Sequence, residues 1–188
     1  MRARAETTER TALRIMDAAV ALWRERDYDE FTLRELAERA GVSLSTVMRH
    51  FGSKEGLAEA VLQSDRVGTQ QRRDAVPAGA IDAAVHMIVA DYEVNGDAVL
   101  RMLALEDRME VVHRVVDAGR AAHSAWVERV FAPLLAQRPV RRRRQVLQLV
   151  IATDVYAWKL LRRDRRLQVR EVRGVMQAMC EAIVKGEA

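Results

Sequence analysis

Hydrophobic residues recur every three or four positions along most of this chain, which is the spacing of residues on one face of an α-helix. Between residues 32 and 51 the pattern divides into two short segments on either side of Gly41. Thr32 and Glu35 have the spacing of a capping box, so the first helix is predicted to begin near Leu33. Its inner face is predicted to contain Leu33, Leu36, Ala37 and Ala40.

The second of these helices has few apolar residues beyond those needed for packing. Gly41 is predicted to end the first helix in a left-handed conformation, and Ser43 to cap the second. Val42 and Val47 can pack on the first helix, which leaves five side chains available outside: Leu44, Ser45, Thr46, Arg49 and His50. This arrangement is typical of a DNA-binding helix-turn-helix. The alternative is an ordinary helical hairpin, which the two caps and the polar second helix disfavour.

Further helices are predicted on both sides of this pair. An apolar stripe at helical spacing precedes it, formed by Ile15, Met16, Ala18, Ala19, Leu22 and Trp23. Residues 51–55 open another helix directly after it. The N-terminal part is therefore predicted to be a three-helix unit followed by a fourth helix.

The segment from Ile15 to Leu57 resembles the N-terminal domain of the tetracycline-repressor (TetR) family of one-component regulators. The resemblance rests on Ala18-Ala19, Thr32, Leu36-Ala37, Ala40-Gly41-Val42-Ser43, Thr46, His50-Phe51 and Ser53-Lys54-Glu55. It implies a helix-turn-helix DNA-binding domain, here residues 1–66, and a ligand-binding and dimerisation domain, residues 67–188. Two residues depart from the family pattern. Asp27 replaces a usual glycine and must accept the turn after the first helix, and Met48 replaces a tyrosine that commonly contacts a phosphate.

The rest of the chain also has helical patterning. Five helices are predicted at about 78–94, 97–106, 109–136, 140–163 and 168–185, with breaks at Asn95-Gly96 and Gln137-Arg-Pro139. Together with the first four they predict an all-α protein of about nine helices, which agrees with the family's usual count. An apolar content of 49% with three prolines also favours this class.

The last two predicted helices suggest how two copies associate. Residues 146–161 are apolar nearly all round, which predicts burial on two faces. The final helix has a stripe formed by Val169, Val172, Val175 or Met176, Met179 and Ile183. The two helices are predicted to form a four-helix seam in a homodimer, and the resemblance implies the same interface. Such a dimer can present two recognition helices to a palindromic DNA operator.

Several side chains of the C-terminal part combine apolar walls with polar groups, as a small-molecule site requires. The candidate effector contacts are Met87, Tyr92, Met102, His123, Trp126 and Asp154. The alternative is that these residues are ordinary core, and that Asp154 pairs with an arginine or lies at the dimer interface. The resemblance implies an effector pocket, and the aliphatic and Met content suggests a mainly apolar effector.

Charge is informative through its placement rather than its total. The formal net charge is +4, but residues 1–66 contain 11 Lys and Arg against 12 Asp and Glu. Overall basicity is therefore not evidence for DNA binding. Arg2, Arg4 and Arg10 are expected before the first helix, and Arg49 and Lys54 around the recognition helix. The runs Arg141–Arg144 and Arg162–Arg166 are expected to be solvated helix ends; a second nucleic-acid surface is the alternative.

Other classes of function find little support in the sequence. No apolar run reaches the roughly 18 to 20 residues of a membrane span and the N-terminus lacks a signal-peptide core, so a cytoplasmic protein is expected. The four histidines lack metal-ligand spacing, no catalytic motif is found, and no metal, cofactor or enzymatic activity is expected. Cys180 lies in an apolar stripe, which favours a buried thiol over a redox sensor.

The sequence therefore predicts a homodimeric, ligand-responsive transcriptional regulator, more consistent with a repressor than an activator. The predicted DNA contacts are Thr32, Ser43, Leu44, Ser45, Thr46, Arg49, His50 and Lys54, with Arg49 reading a guanine and Thr32, Ser43 and Lys54 holding phosphates. Two alternatives remain. One is a DNA-binding protein of the same fold without a small-molecule effector. The other is a carrier or enzyme that has lost operator binding.

Overall fold

A computed structural model describes residues 2–186, with side chains from residue 6 onward except Leu62 and residues 65–67. Over this described range the chain forms nine α-helices and no β-strand, so the predicted all-α class is confirmed. The helices pack into two compact units, residues 1–68 and 69–188.

The first unit contains α1 (Arg2–Glu25), a 3₁₀ turn (Tyr28–Glu30), α2 (Leu33–Ala40), α3 (Leu44–Phe51) and the start of α4 (Lys54–Asp74). Its core consists of Ile15, Ala18, Ala19, Leu22, Phe31, Leu36, Ala37, Ala40, Val47, Leu57 and Val61. The expectation that Arg2, Arg4 and Arg10 precede the first helix is wrong, because α1 begins at Arg2. Residues 2–14 contain neither proline nor glycine and include several strong helix formers, so nothing delays the helix.

Asp27 does not make the turn that glycine usually makes at this position. Its φ of −69° and ψ of 157° are extended, and its N–H donates to Glu30 Oε2 at 3.0 Å. The chain leaves α1 through a capped 3₁₀ turn instead of a left-handed residue. The expectation that Asp27 accepts the turn usually made by glycine is therefore wrong, and the Asp27 backbone is unstrained.

The second unit contains the end of α4 and the remaining helices. These are α5 (Ile81–Leu103), α6 (Glu110–Phe131), a 3₁₀ turn (Ala132–Leu134), α7 (Pro139–Ala152), α8 (Val155–Lys159), a π-helical turn (Leu160–Asp164) and α9 (Val169–Lys185). Trp158, Phe131, Ile88, Leu149 and Met176 are its largest fully buried side chains.

The predicted break at Asn95-Gly96 is wrong, because α5 continues through it. Gly96 is buried, and a Cβ placed on it would lie 2.5 Å from Cζ3 of Trp158. The glycine therefore leaves space for an indole ring on a neighbouring helix rather than ending its own helix.

The prediction of one helix over 140–163 is also wrong, since the chain divides at Thr153 and Asp154. Asp154 has an extended backbone, and its Oδ1 accepts from the Tyr156 N–H at 2.8 Å. An aspartate in this position caps a new helix, which separates α8 from α7.

The apolar stripe of α9 serves two surfaces. Val172, Met176, Cys180 and Ile183 are buried in the core of the second unit, whereas Val169, Val175 and Met179 are 38–39% exposed. Part of the stripe predicted to join a partner is therefore used inside the chain. The prediction of a buried Cys180 is confirmed, and burial raises the pKa of its thiol to about 12.

Candidate DNA-binding helices and regulatory core

The turn between α2 and α3 is fixed by local hydrogen bonds. Thr32 Oγ1 accepts from the Glu35 N–H at 3.2 Å, and Glu35 Oε2 accepts from the Thr32 N–H at 2.7 Å. Gly41 has the left-handed φ of 62°, and Ser43 Oγ accepts from the Thr46 N–H at 3.2 Å. The predicted capping box, glycine turn and serine cap are all confirmed.

A side chain from α1 also holds this turn, and the sequence analysis did not identify it. Nη2 of Arg14 donates to the carbonyl oxygens of Ala40 and Gly41, at 2.6 and 3.2 Å. These carbonyls lie at the end of α2, where no helical donor is available to them. Arg14 therefore fixes the angle at which the chain enters α3.

The outer face of α3 carries most of the predicted DNA contacts. Leu44 and Met48 are 37% and 44% exposed, Ser45 and Arg49 are exposed, and Thr46 and His50 are half-buried. Val47 points the other way and is fully buried. No hydrogen bond or ion pair to another described residue engages the Arg49 guanidinium, which leaves it available to a partner.

The hydroxyl groups at the start of α3 interact with one another. Ser43 Oγ lies 2.9 Å from Ser45 Oγ and 2.9 Å from Thr46 Oγ1. They lie at the N-terminus of α3, where first-turn N–H groups point outward, which is a favourable environment for an anion such as a phosphate.

Lys54 is oriented differently from the phosphate contact expected of it. Its ammonium donates to the main-chain carbonyls of Tyr28 and Phe31, and lies 4.5 and 4.0 Å above the centres of their rings. Burial lowers the pKa of this lysine. In this structure Lys54 therefore joins the start of α4 to the segment between α1 and α2. The phosphate contact was expected from the family resemblance at this position. The sequence gives no sign of the two carbonyls that Lys54 binds.

In the second unit, the polar candidates His123 and Tyr92 meet at Thr153. Tyr92 Oη donates to the Thr153 carbonyl at 3.0 Å, and Thr153 Oγ1 lies 3.0 Å from His123 Nε2. His123 is 7% exposed, and its burial, aided by the charge of Arg73, lowers its pKa to about 4. Burial raises the pKa of Tyr92. Both groups are therefore neutral near pH 7.

The other effector candidates lie in different environments. The Trp126 ring stacks on His123 with centroids 5.6 Å apart and is 2% exposed. Met87 and Met102 are half-buried, and Met87 packs against the core. Asp154 caps α8. Tyr92, His123 and Trp126 are thus the candidates placed in the buried core.

Part of the second arginine run also contributes to this unit. Glu93 Oε1 accepts from Trp158 Nε1 at 2.8 Å and from Arg162 Nε at 3.1 Å. Arg163 makes two hydrogen bonds to Asp97, at 2.8 and 2.9 Å. Arg162 and Arg163 therefore tie the π-helical turn to α5, so they are not simply solvated as expected.

Among the described residues, no helix combines the length and the apolar character needed to cross a membrane. Within the same residues, no group of three or more His, Cys, Asp or Glu side chains could hold a metal ion.

Comparisons with known proteins agree with the helix-turn-helix geometry. Residues 15–61 match the family model described as bacterial regulatory proteins, tetR family. An HTH-type transcriptional repressor of Mycobacterium tuberculosis is 31% identical over 148 residues, covering 68% of this chain and 76% of that protein. An uncharacterized HTH-type transcriptional regulator of Bacillus subtilis is 46% identical over 52 residues, which is 28% of each protein.

Solved structures share the fold at lower identity. A transcriptional regulator from Rhodococcus superposes with a TM-score of 0.73 at 18% identity, covering 95% of this chain and 96% of that one. GusR of Salmonella enterica gives a TM-score of 0.72 at 19% identity, covering 93% and 95%. These matches show a shared fold. The family-model match and the mycobacterial relative, together with the α2–turn–α3 geometry, show that the chain belongs to the TetR family of helix-turn-helix transcriptional regulators.

Proposed function

We propose that this TetR-family regulator is a repressor that binds a palindromic operator as a homodimer and is released by a small-molecule effector. The DNA-binding part rests on the outer face of α3, where Arg49 is exposed and makes no hydrogen bond or ion pair with another described residue. The name of the mycobacterial relative, a transcriptional repressor, favours repression over activation.

Base recognition is assigned to α3. Arg49 carries a planar guanidinium that can make two hydrogen bonds to a guanine edge in the major groove. Leu44 offers an apolar contact to a thymine methyl group. Ser45, Thr46 and His50 offer polar contacts from side chains shorter than that of arginine. Met48 beside them is also exposed, and covering an apolar side chain with another surface is favourable. Its exposure therefore supports this face of α3 as the contact surface.

Phosphate contacts are assigned to the helix N-termini. Thr32 and Ser43 stand at the starts of α2 and α3, where first-turn N–H groups point outward and can bind the DNA backbone. The Thr32 hydroxyl itself is shared with Glu35, so the proposed contact of Thr32 uses its exposed position at the helix start. Lys54 is assigned a different role, because its ammonium already donates to two carbonyls. It positions the segment that leads into Thr32.

Exposed apolar residues on the last helices support a dimer. Leu147 and Ile151 lie one turn apart on α7 and are 55% and 65% exposed. Val175 and Met179 have the same spacing on α9 and are 38% exposed. Apolar side chains repeated on one face favour a protein partner, and a second copy is the proposed one.

Effector control is assigned to the second unit. The proposed contacts are Met87, Tyr92, Met102, His123, Trp126 and Asp154, of which Tyr92, His123 and Trp126 lie in its core. An effector changes DNA affinity only if it binds one conformation of the dimer more tightly than another. Helix α4 is the proposed moving part, since it begins at Lys54 in the first unit and ends at Asp74 in the second.

Selection of bound sequences from randomised duplex DNA at physiological salt tests this proposal. A palindrome with two equal half-sites is expected, and a reporter gene downstream of it should be expressed less when the protein is present. Enrichment of an unrepeated site would contradict the dimer, and increased reporter expression would contradict repression. No enrichment at all would favour the carrier or enzyme alternative.

A further inference from the structure

Three buried nitrogen atoms of the second unit have no hydrogen-bond partner among the described residues. They are Nε of Arg73, Nδ1 of His123 and Nε1 of Trp126. A buried polar atom without a partner is costly, so three that lie side by side call for a common explanation.

Trp126 lies next to both of the other side chains. The His123 and Trp126 rings stack with centroids 5.6 Å apart, and the Arg73 guanidinium carbon lies 5.7 Å from the centre of the Trp126 ring. His123 and Trp126 are more than nine-tenths buried. Arg73 comes from the last turn of α4, and the two rings come from α6. The unpaired atoms therefore belong to one cluster between two helices.

The hydrogen-bond network assigns the proton on His123. The Thr153 hydroxyl has one proton, and its bond to the Leu149 carbonyl at 2.7 Å uses it. Thr153 Oγ1 must then accept from His123 Nε2, which lies 3.0 Å away. In the neutral imidazole, Nδ1 then carries no proton and can only accept a hydrogen bond.

The cluster thus offers two N–H donors, from Arg73 and Trp126, and one acceptor, from His123. A hydroxyl group has one proton to give and two lone pairs to share, so it satisfies all three atoms. Around it, the indole and imidazole rings provide flat apolar surface. We propose that this cluster binds a small planar alcohol of the phenol class, with its hydroxyl group between Arg73, His123 and Trp126.

Other ligand classes fit the cluster less well. A carboxylate has no proton to donate to His123 Nδ1, and a hydrocarbon leaves all three atoms without partners. A single buried water molecule satisfies them as a hydroxyl does, and it would leave no role for a ligand.

The position of the cluster gives such a ligand a route to DNA binding, and this step rests on the proposed function. Arg129 lies one turn after Trp126 on α6 and donates to the carbonyls of Arg73 and Val76, at 2.5 and 3.1 Å. The same face of α6 therefore holds both the cluster and the end of α4. A ligand that engages Arg73 changes the contacts of the helix that begins next to α3.

Indole N–H signals in ¹H–¹⁵N NMR spectra of the full-length protein provide the test. The chain has three tryptophans, so Trp126→Phe assigns the relevant signal and removes its N–H while keeping an aromatic ring. Trp158→Phe is the matched control, because the indole N–H of Trp158 already donates to Glu93. The probes are phenol, benzoate and toluene at equal concentrations.

Phenol is expected to move the Trp126 signal in a saturable titration and to leave the Trp158 signal nearly unchanged. Trp126→Phe should weaken phenol binding by about three- to tenfold, the effect of one hydrogen bond, while Trp158→Phe should not. Equal responses to phenol and toluene, a preference for benzoate, or no response of Trp126 to phenol would overturn the proposal. The last result would indicate a bound water.

Measuring operator binding in the same samples separates this inference from the proposed function. Phenol that binds at Trp126 without releasing DNA would uphold the site and contradict effector control. Intact operator binding and no phenol response would overturn the site alone.

Discussion

The turn between α2 and α3 and the core of the second unit satisfy their polar groups in different ways. In the first unit, the starts of α2 and α3 are capped by residues three positions away, as in Thr32 with Glu35. Arg14 and Lys54 add longer-range contacts to main-chain carbonyls of this unit. In the second unit, polar groups meet across 30 to 61 residues of sequence, as in His123 with Thr153 and Tyr92 with Thr153. Local capping leaves the outer face of α3 exposed for the proposed DNA contacts. Long-range pairing creates a polar cluster inside an apolar core, where a ligand can replace missing partners.

This contrast predicts an acid sensitivity that comes from the second unit. His123 has an unfolded pKa near 6.5 and a folded pKa of about 4. The unfolded chain therefore binds the proton first, and the free energy of unfolding falls as the pH drops from about 6.5 to 4. The loss is about 3 kcal/mol for a shift of this size.

Urea unfolding between pH 4 and 7.5 measures this loss, with His123→Leu as the comparison. The variant should show a smaller decrease over the same pH range. An unchanged pH dependence in the variant would contradict a neutral, buried His123.

The contact between Gly96 and Trp158 predicts the next largest effect. Gly96→Ala places a methyl group against the indole ring and should destabilise the protein by about 1 to 3 kcal/mol. Gly119→Ala is the control, since Gly119 lies in α6 with no atom within 4 Å of a new Cβ. That substitution should stabilise the helix by about 0.5 to 1 kcal/mol. Thermal unfolding of both variants checks the opposite signs, and a loss of stability in both would contradict this packing.

Lys54 provides a test of a long-range contact inside the first unit. Lys54→Met removes the donor to two carbonyls and should destabilise this unit by about 1.5 to 3 kcal/mol, a typical value for hydrogen bonds to a charged group. If Lys54 does not contact a phosphate, the salt dependence of operator binding should keep its slope. A phosphate contact would instead reduce the slope by about one unit. Binding titrations at several salt concentrations distinguish the two roles.

Thr32 gives the smallest expected effect on stability. Thr32→Ala removes the α2 cap and should cost about 1 kcal/mol, while Thr32→Ser keeps the hydroxyl and most of that stability. Chemical unfolding of the two variants measures the difference. Equal losses in both would show that the methyl group rather than the hydroxyl matters.

The parts of the fold that the sequence predicted are those that depend on near neighbours. The Thr32–Glu35 box, Gly41 and the Ser43 cap each need only four or five residues, and all three were found as predicted. The predicted helix break at Gly96 is wrong because this glycine makes space for Trp158, which is distant in sequence. Lys54 and Arg14 likewise contact carbonyls 23 to 27 residues away, and no local pattern encodes these contacts. The unpaired nitrogens of Arg73, His123 and Trp126 required the packed structure to be recognised.

The proposed role of α3 is to read DNA bases, with Arg49 contacting a guanine. It is tested by competition binding of the wild type and Arg49→Gln to the selected operator and to operators with each base replaced in turn. Arg114→Gln, an exposed arginine on α6, is the control for the loss of one charge. Arg49→Gln should lose about 1 to 3 kcal/mol of preference at one guanine of each half-site and keep its preferences elsewhere. A variant that keeps the guanine preference, or weakens every site equally, would contradict this role.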